Sequence, residues 1–184
     1  MTQDRISSRG WLNGWRIAGW GALLALLALP AIAMQFTAEV QWTPMDFVFA
    51  GVLLTALGTG FELAVRFGGA GAKGIGMAIA SLAGFLTVWA NAAVGFIGHE
   101  GEPVNAGFTL LVVAGALAGL AVWFRPSVMR WIMAAIALGQ PLLGVAALWM
   151  MPGHAVEWGI LVIFAGLWGA AALCFHRAHL RTAG

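Results

Sequence analysis

Six stretches of about 20 predominantly apolar residues constrain the fold of this chain more than any other feature. A helix needs roughly 20 apolar residues to cross the ~30 Å hydrocarbon layer of a bilayer. The stretches lack the alternation of polar and apolar residues that is typical of a membrane β-barrel strand. We therefore expect one all-α membrane domain with six transmembrane helices, at about residues 15–35, 46–66, 74–98, 106–124, 130–150 and 156–175.

The composition excludes several classes of protein. Of the 184 residues, 61% are hydrophobic and 9% are charged, whereas roughly a quarter are charged in an average soluble domain. The basic residues are scattered singly, which argues against a nucleic-acid-binding patch. A single cysteine, Cys174, excludes an intrachain disulfide and a CxxC redox pair.

The charges predict the orientation in the membrane. The basic residues all fall on one side of the predicted spans, and five of the seven acids fall on the other. By the positive-inside rule, both termini and the basic loops face the cytoplasm, and the lipid bilayer is the first partner of the chain. The basic residues are Arg5, Arg9, Arg16, Arg66, Lys73, Arg125, Arg130, Arg177 and Arg181; the five acids are Glu39, Asp46, Glu100, Glu102 and Glu157.

The first apolar stretch has an alternative interpretation as a signal peptide. A basic N-terminus precedes GALLALLAL, and Ala31-Ile32-Ala33 resembles a cleavage site. The apolar run continues past that point through Phe36, which favours a retained span. Cleavage would leave five spans without inverting them.

The spans pair naturally as three helical hairpins, 1–2, 3–4 and 5–6. Each pair encloses an outer loop that contains an acid and a proline. This pattern indicates either an old triplication or simply the form of a minimal membrane hairpin. Thr43 or Asp46, and Asn105, are candidates to cap the helices that follow the first two of these loops.

Polar residues within the spans are the candidate intramembrane positions: Glu62, Arg66, Asn91 and Gln140. Asn91 belongs to a stripe of small and polar residues, which predicts that it points into the bundle. A structural interpretation gives Glu62 an i,i+4 pairing with Arg66 and Asn91 an interhelical hydrogen bond. It gives Gln140 a hydrogen bond to backbone groups that the neighbouring proline frees by kinking the helix. A functional interpretation makes them contacts for an ion or solute.

The outer loops supply a second set of candidates: Asp46, His99, Glu100, Glu102 and Asn105. Together with His154, these residues include metal-ligand types, but no recognised ligand spacing occurs, and we predict no metal and no cofactor. His176 and His179 lie at the inner end of the last span, where they suit the helix dipole and anionic lipid headgroups.

The sequence contains no GxSxG, HExxH or Walker A motif, so we predict that the protein is not an enzyme. The first functional hypothesis is a non-catalytic helix bundle that forms a homo-oligomer or a subunit of a membrane complex. The alternative is a small transporter or channel for a cation or small polar solute. The alternative requires Glu62, Asn91 and Gln140 to line one water-accessible cavity, with Glu100 and Glu102 at its mouth.

Two segments, WTPMDFVFAGVLLTALGTGFELAVR and WANAAVGFIGHEGEPVN, resemble a family of small, uncharacterised bacterial inner-membrane proteins. The shared patterns are WTxxDF, ELxxR, WxNxAVGxIG and PxN, over roughly residues 42–130. The resemblance implies a multi-pass protein of the bacterial inner membrane and implies no substrate or mechanism. The matching positions are Trp42, Thr43, Asp46, Glu62, Arg66, Trp89, Asn91, Gly95, Gly98, Glu100, Pro103 and Asn105.

Overall fold

A computed structural model describes residues 14–98 and 101–183. It confirms the all-α fold: six helices are long and apolar enough to cross a membrane, and the described residues form no strand beyond one isolated bridge. The helices are α1 (Gly14–Ala33), α2 (Pro44–Leu63), α3 (Ala72–Val94), α4 (Ala106–Ala121), α5 (Pro126–Met150) and α6 (Trp158–Ala183). A π-helical turn (Ala64–Gly68) follows α2, and a 3₁₀ turn (Pro103–Asn105) precedes α4.

The predicted helix ends differ from the observed ones where backbone chemistry decides them. The third span was expected to reach residue 98, but α3 ends at Val94 because Gly95 adopts a positive φ of 71°, which glycine tolerates and a regular helix does not. Gly95 and Gly98, which fall within the predicted span 74–98, therefore lie beyond the helix. Pro126 begins α5 at its first turn, four residues before the predicted start, where its missing N–H costs little.

Residues 59–183 belong to one compact unit built on a four-helix bundle. Within it, α3 packs against α4 and α6, and α5 packs against the same two helices. Successive helices run in opposite directions, so every pair of neighbours in this ring is antiparallel. The expected hairpins 3–4 and 5–6 are thus two sides of a closed up-and-down bundle.

The interior of the bundle contains two apolar clusters, one towards each end. One includes Met133, Ile136 and Phe175, and the other includes Phe96 and Phe108. Large apolar side chains are also exposed all along the outer faces of the helices, as expected for a surface that contacts lipid tails.

The other compact unit contains α1 and most of α2, up to Gly58. The two helices pack through large side chains of α1 on glycines of α2: Leu27 lies at Gly51, and Trp20 and Leu23 lie at Gly58. No residue of α1 is buried. The hairpin 1–2 is therefore joined along one narrow face.

Candidate functional site

Asn105 holds together the chain reversal between α3 and α4. Its side-chain Oδ1 accepts hydrogen bonds from the backbone N–H groups of Phe96 (3.2 Å) and Ile97 (3.1 Å), and its Nδ2 donates to the Ile97 carbonyl (3.0 Å). Phe96 and Ile97 are fully buried. These bonds satisfy backbone groups that the early end of α3 leaves without helical partners.

The expectation that Asn105 caps α4 is therefore wrong: it makes no side-chain cap to that helix. Its amide reaches back along the chain, because two positive-φ glycines, Gly95 and Gly98, turn the intervening residues towards it. These two glycines are the sequence feature that could have predicted the turn, but the predicted span 74–98 placed them within the helix. The capping expectation for the other loop is confirmed: Thr43 Oγ1 accepts from the Asp46 backbone N–H (3.4 Å), and Asp46 Oδ2 accepts in return from the Thr43 backbone N–H (2.7 Å).

Asn91 lies one layer deeper and contacts the same turn. It is 5% exposed, and its Nδ2 donates to the Asn105 carbonyl at 2.8 Å. The predicted inward direction and interhelical hydrogen bond are confirmed. Its Oδ1 has no hydrogen-bond partner among the described residues.

The second outer loop of the bundle joins this turn through the backbone. The Gly98 N–H donates to the Ala155 carbonyl (2.9 Å), and the Glu157 N–H donates to the Phe96 carbonyl (3.1 Å). Glu102 Oε1 lies 3.4 Å from His154 Nε2. The two loops thus converge and close one end of the bundle.

Among the residues that the structure describes, no three His, Cys, Asp or Glu side chains lie close enough together to hold a metal ion at this end of the bundle. Two candidates of the same loop, His99 and Glu100, lie outside the described residues. Glu102 is the candidate carboxylate that can be placed, beside His154.

Gln140 lies between the two apolar clusters of the bundle. It is fully buried, and neither its Oε1 nor its Nε2 has a hydrogen-bond partner within residues 14–98 and 101–183. The expected bond to backbone groups freed by Pro141 is therefore not formed. Another polar pair of the interior is satisfied: the Trp168 indole N–H donates to Thr87 Oγ1 (3.3 Å), whose hydroxyl donates to the Ala83 carbonyl (2.7 Å).

Glu62 and Arg66 lie at the other end of the bundle from Asn91, on α2 and the turn that follows it. Glu62 is partly buried, while Arg66 is exposed and its guanidinium carbon lies 5.8 Å from the centroid of the Phe67 ring. Arg66 belongs to the π-helical turn, where the regular i,i+4 geometry is interrupted. Their predicted pairing stays a prediction.

A cavity that sequence reasoning missed lies between α5 and α6. It measures about 560 Å³ and is lined by none of the four intramembrane candidates. Arg130 and His176 form its polar end: Arg130 Nη1 lies 3.3 Å from His176 Nδ1. The two residues are 46 positions apart in the chain, so only the packing of the helices brings them together.

In comparisons with known proteins, no family model, no curated protein and no solved structure matches the chain. The arrangement of its own residues is therefore the evidence for its function.

Proposed function

We propose that the protein is a non-catalytic membrane helix bundle that forms a homo-oligomer or a subunit of a larger membrane complex. The observation that carries this proposal is the state of α1. This helix is apolar enough to span a membrane, yet none of its 20 residues is buried. Its contacts within the chain leave most of its surface available for packing against helices of another chain.

The available surface of α1 has the character of a helix-packing face. Trp20, Leu23 and Leu27 are partly buried and face α2. At about 100° per residue, a stripe of small residues lies on nearly the opposite side, and every member is exposed. Small residues let membrane helices approach closely, which is how helices associate in lipid. The stripe comprises Gly14, Ala18, Gly21, Ala25 and Ala28.

The four-helix bundle supports this proposal more than it supports transport. Gln140 is inaccessible to solvent, and Asn91 is 5% exposed and bonded to the adjoining turn. A transport path through both amides needs them to meet water. Their burial makes them parts of the packed interior.

A pair of leucine substitutions tests the proposed surface. Gly21→Leu places a large side chain in the stripe. Gly19→Leu makes the same change about 200° away around the helix, and an added Cβ meets no atom within 4 Å there or at Gly21. We expect the wild type and Gly19→Leu to elute from mild detergent as complexes heavier than one 19.3 kDa chain. Gly21→Leu should weaken association about tenfold, the equivalent of about 1.4 kcal/mol, because the large side chain prevents close approach of another helix.

Two results would overturn the proposal. One is a wild-type monomer from which crosslinking recovers no partner. The other is an intact mass showing that the mature chain lacks residues 1–33, since that would remove the surface.

We further propose that this is a bacterial inner-membrane protein with both termini in the cytoplasm, as the charge distribution and the family resemblance imply. The structure of the bundle is compatible with this orientation because Arg130 and Arg181 lie at the same end of it. A reporter that is active only in the cytoplasm should be active when it is fused after Gly184, and a reporter that is active only in the periplasm should be inactive there. Periplasmic activity would reverse the orientation.

A further inference from the structure

The cavity between α5 and α6 is a groove with an apolar floor. Ala134, Gly166, Gly169 and Ala170 supply small side chains to its lining. A Cβ added at Gly166 or Gly169 would meet no atom within 4 Å. The floor is therefore open to the surroundings of the helices, which in a membrane are lipid tails.

The polar end of the groove carries a positive charge. The Arg130 Nε–H donates to the Ser127 carbonyl at 3.2 Å, and Nη1 lies 3.3 Å from His176 Nδ1. A guanidinium only donates, so a hydrogen bond between them leaves the Nε2 side of the imidazole as the donor that can face the groove. Arg130 has no carboxylate partner in the described part of the chain. Its other guanidinium donors remain available beside the groove.

The surroundings reinforce this charge. No aspartate or glutamate occurs in residues 103–156 or 158–184, which include all of α4, α5 and α6. Arg125, Arg177 and Arg181 lie near the same end as Arg130. Trp131 lines the groove at this level and is 66% exposed, the position of a tryptophan in the headgroup region.

The length of the groove matches one leaflet of a bilayer. From His176 to Gly166 the lining extends over ten residues of α6, or about 15 Å along the helix axis. Half of a hydrocarbon layer of ~30 Å has the same thickness. A charged end and an apolar floor of this length fit a molecule with one charged head and a long apolar tail.

We propose that this groove binds a single anionic phospholipid. The phosphodiester oxygens accept hydrogen bonds from the Arg130 guanidinium and from His176 Nε2–H, and one acyl chain lies over Gly166 and Gly169. Guanidinium groups bind phosphate through charge-assisted bonds, and basic pockets between membrane helices are suited to anionic headgroups. A zwitterionic lipid brings an ammonium group to an end of the bundle that is already cationic.

Native mass spectrometry of the purified full chain tests this proposal. The protein is delipidated in mild detergent and titrated with phosphatidylglycerol or phosphatidylcholine of identical acyl chains. We expect one tightly bound phosphatidylglycerol and weaker binding of phosphatidylcholine. Arg130→Gln should weaken phosphatidylglycerol binding about fivefold, which corresponds to ~1 kcal/mol for one basic residue at a membrane surface.

Two further variants separate the groove from a general effect of charge. Gly169→Leu fills the apolar floor and should reduce retention of the lipid while leaving every charge in place. Arg181→Gln removes a charge from the same end without altering the cavity lining, and should weaken phosphatidylglycerol binding clearly less than Arg130→Gln does. If Arg130→Gln does not fold, Gly169→Leu still tests the site.

Three outcomes would overturn the proposal: equal binding of the two lipids, equal losses in Arg130→Gln and Arg181→Gln, or undiminished binding in Gly169→Leu. Crosslinking of the groove to a protein rather than to lipid would also overturn it. None of these outcomes bears on the α1 surface, because the two sites share no residue.

Discussion

Replacing Asn105 with alanine should destabilise the bundle far more than replacing any other polar residue of its interior. The substitution removes the hydrogen-bond partners of three backbone groups: the N–H groups of Phe96 and Ile97, and the carbonyl of Ile97. Both residues are 0% exposed, so water cannot replace the lost partners without opening the turn.

The expected loss follows from those three groups. A buried backbone group left without a partner costs about 1–3 kcal/mol. Some relaxation of the turn is inevitable, so we take the lower value for each group and expect Asn105→Ala to lower the free energy of unfolding by about 3 kcal/mol.

Asn91 provides the comparison within the same cluster. Asn91→Leu removes one donor to the Asn105 carbonyl, an acceptor at the start of α4 that the helix itself can satisfy. It also removes an oxygen that has no partner in the described structure. An interhelical bond of this kind is worth about 1 kcal/mol or less in a membrane protein.

The free energy of unfolding is measured by SDS titration in bicelles. Asn105→Asp is the control variant, because aspartate has nearly the same shape as asparagine but lacks its N–H donor. A carboxylate accepts from the two N–H groups but cannot donate to the Ile97 carbonyl, so Asn105→Asp should lie between Asn105→Ala and the wild type. A loss below about 1 kcal/mol for Asn105→Ala, or a larger loss for Asn91→Leu, would refute this account of the turn.

Three further predictions use the same unfolding assay. Gln140→Met should leave stability unchanged or raise it by about 1 kcal/mol, because it removes a buried amide without a described partner; a loss above about 2 kcal/mol would show that the amide has one. Gly74→Ala should cost about 2 kcal/mol, because its Cβ would overlap a backbone carbonyl that cannot rotate away, whereas Gly71→Ala has open space and should be neutral; equal effects would contradict this. Thr87→Val should cost about 1 kcal/mol by leaving the buried Trp168 N–H unbonded, and no change in stability would exclude that bond as a contributor.

The six helices could be predicted because apolar length alone specifies a membrane helix. The direction of Asn91 could also be predicted, since its spacing from Thr87 and other small residues defines one helix face. The end of α3 could not be placed as reliably: Gly95 is compatible with a membrane helix, and the turn is stabilised by the hydrogen bonds of Asn105 to Phe96 and Ile97, which helical periodicity does not predict.

The convergence of the two outer loops and the formation of the groove both depend on contacts between residues that are far apart in the chain. His154 meets Glu102, and Arg130 meets His176, only after four helices have packed in a ring. The groove is also defined by side chains that are small, and a small residue by itself predicts helix contact or lipid contact equally well. Periodicity within single helices carries no information about either arrangement.

The proposed function depends above all on α1, which presents a face for another membrane protein or a second copy of this chain. The most direct test places a single cysteine at Gly21 or at Gly19 in a Cys174→Ala background and attaches a short maleimide–diazirine crosslinker in native membranes. We expect protein adducts from Gly21→Cys and predominantly lipid adducts from Gly19→Cys. Lipid adducts alone from both positions would contradict it.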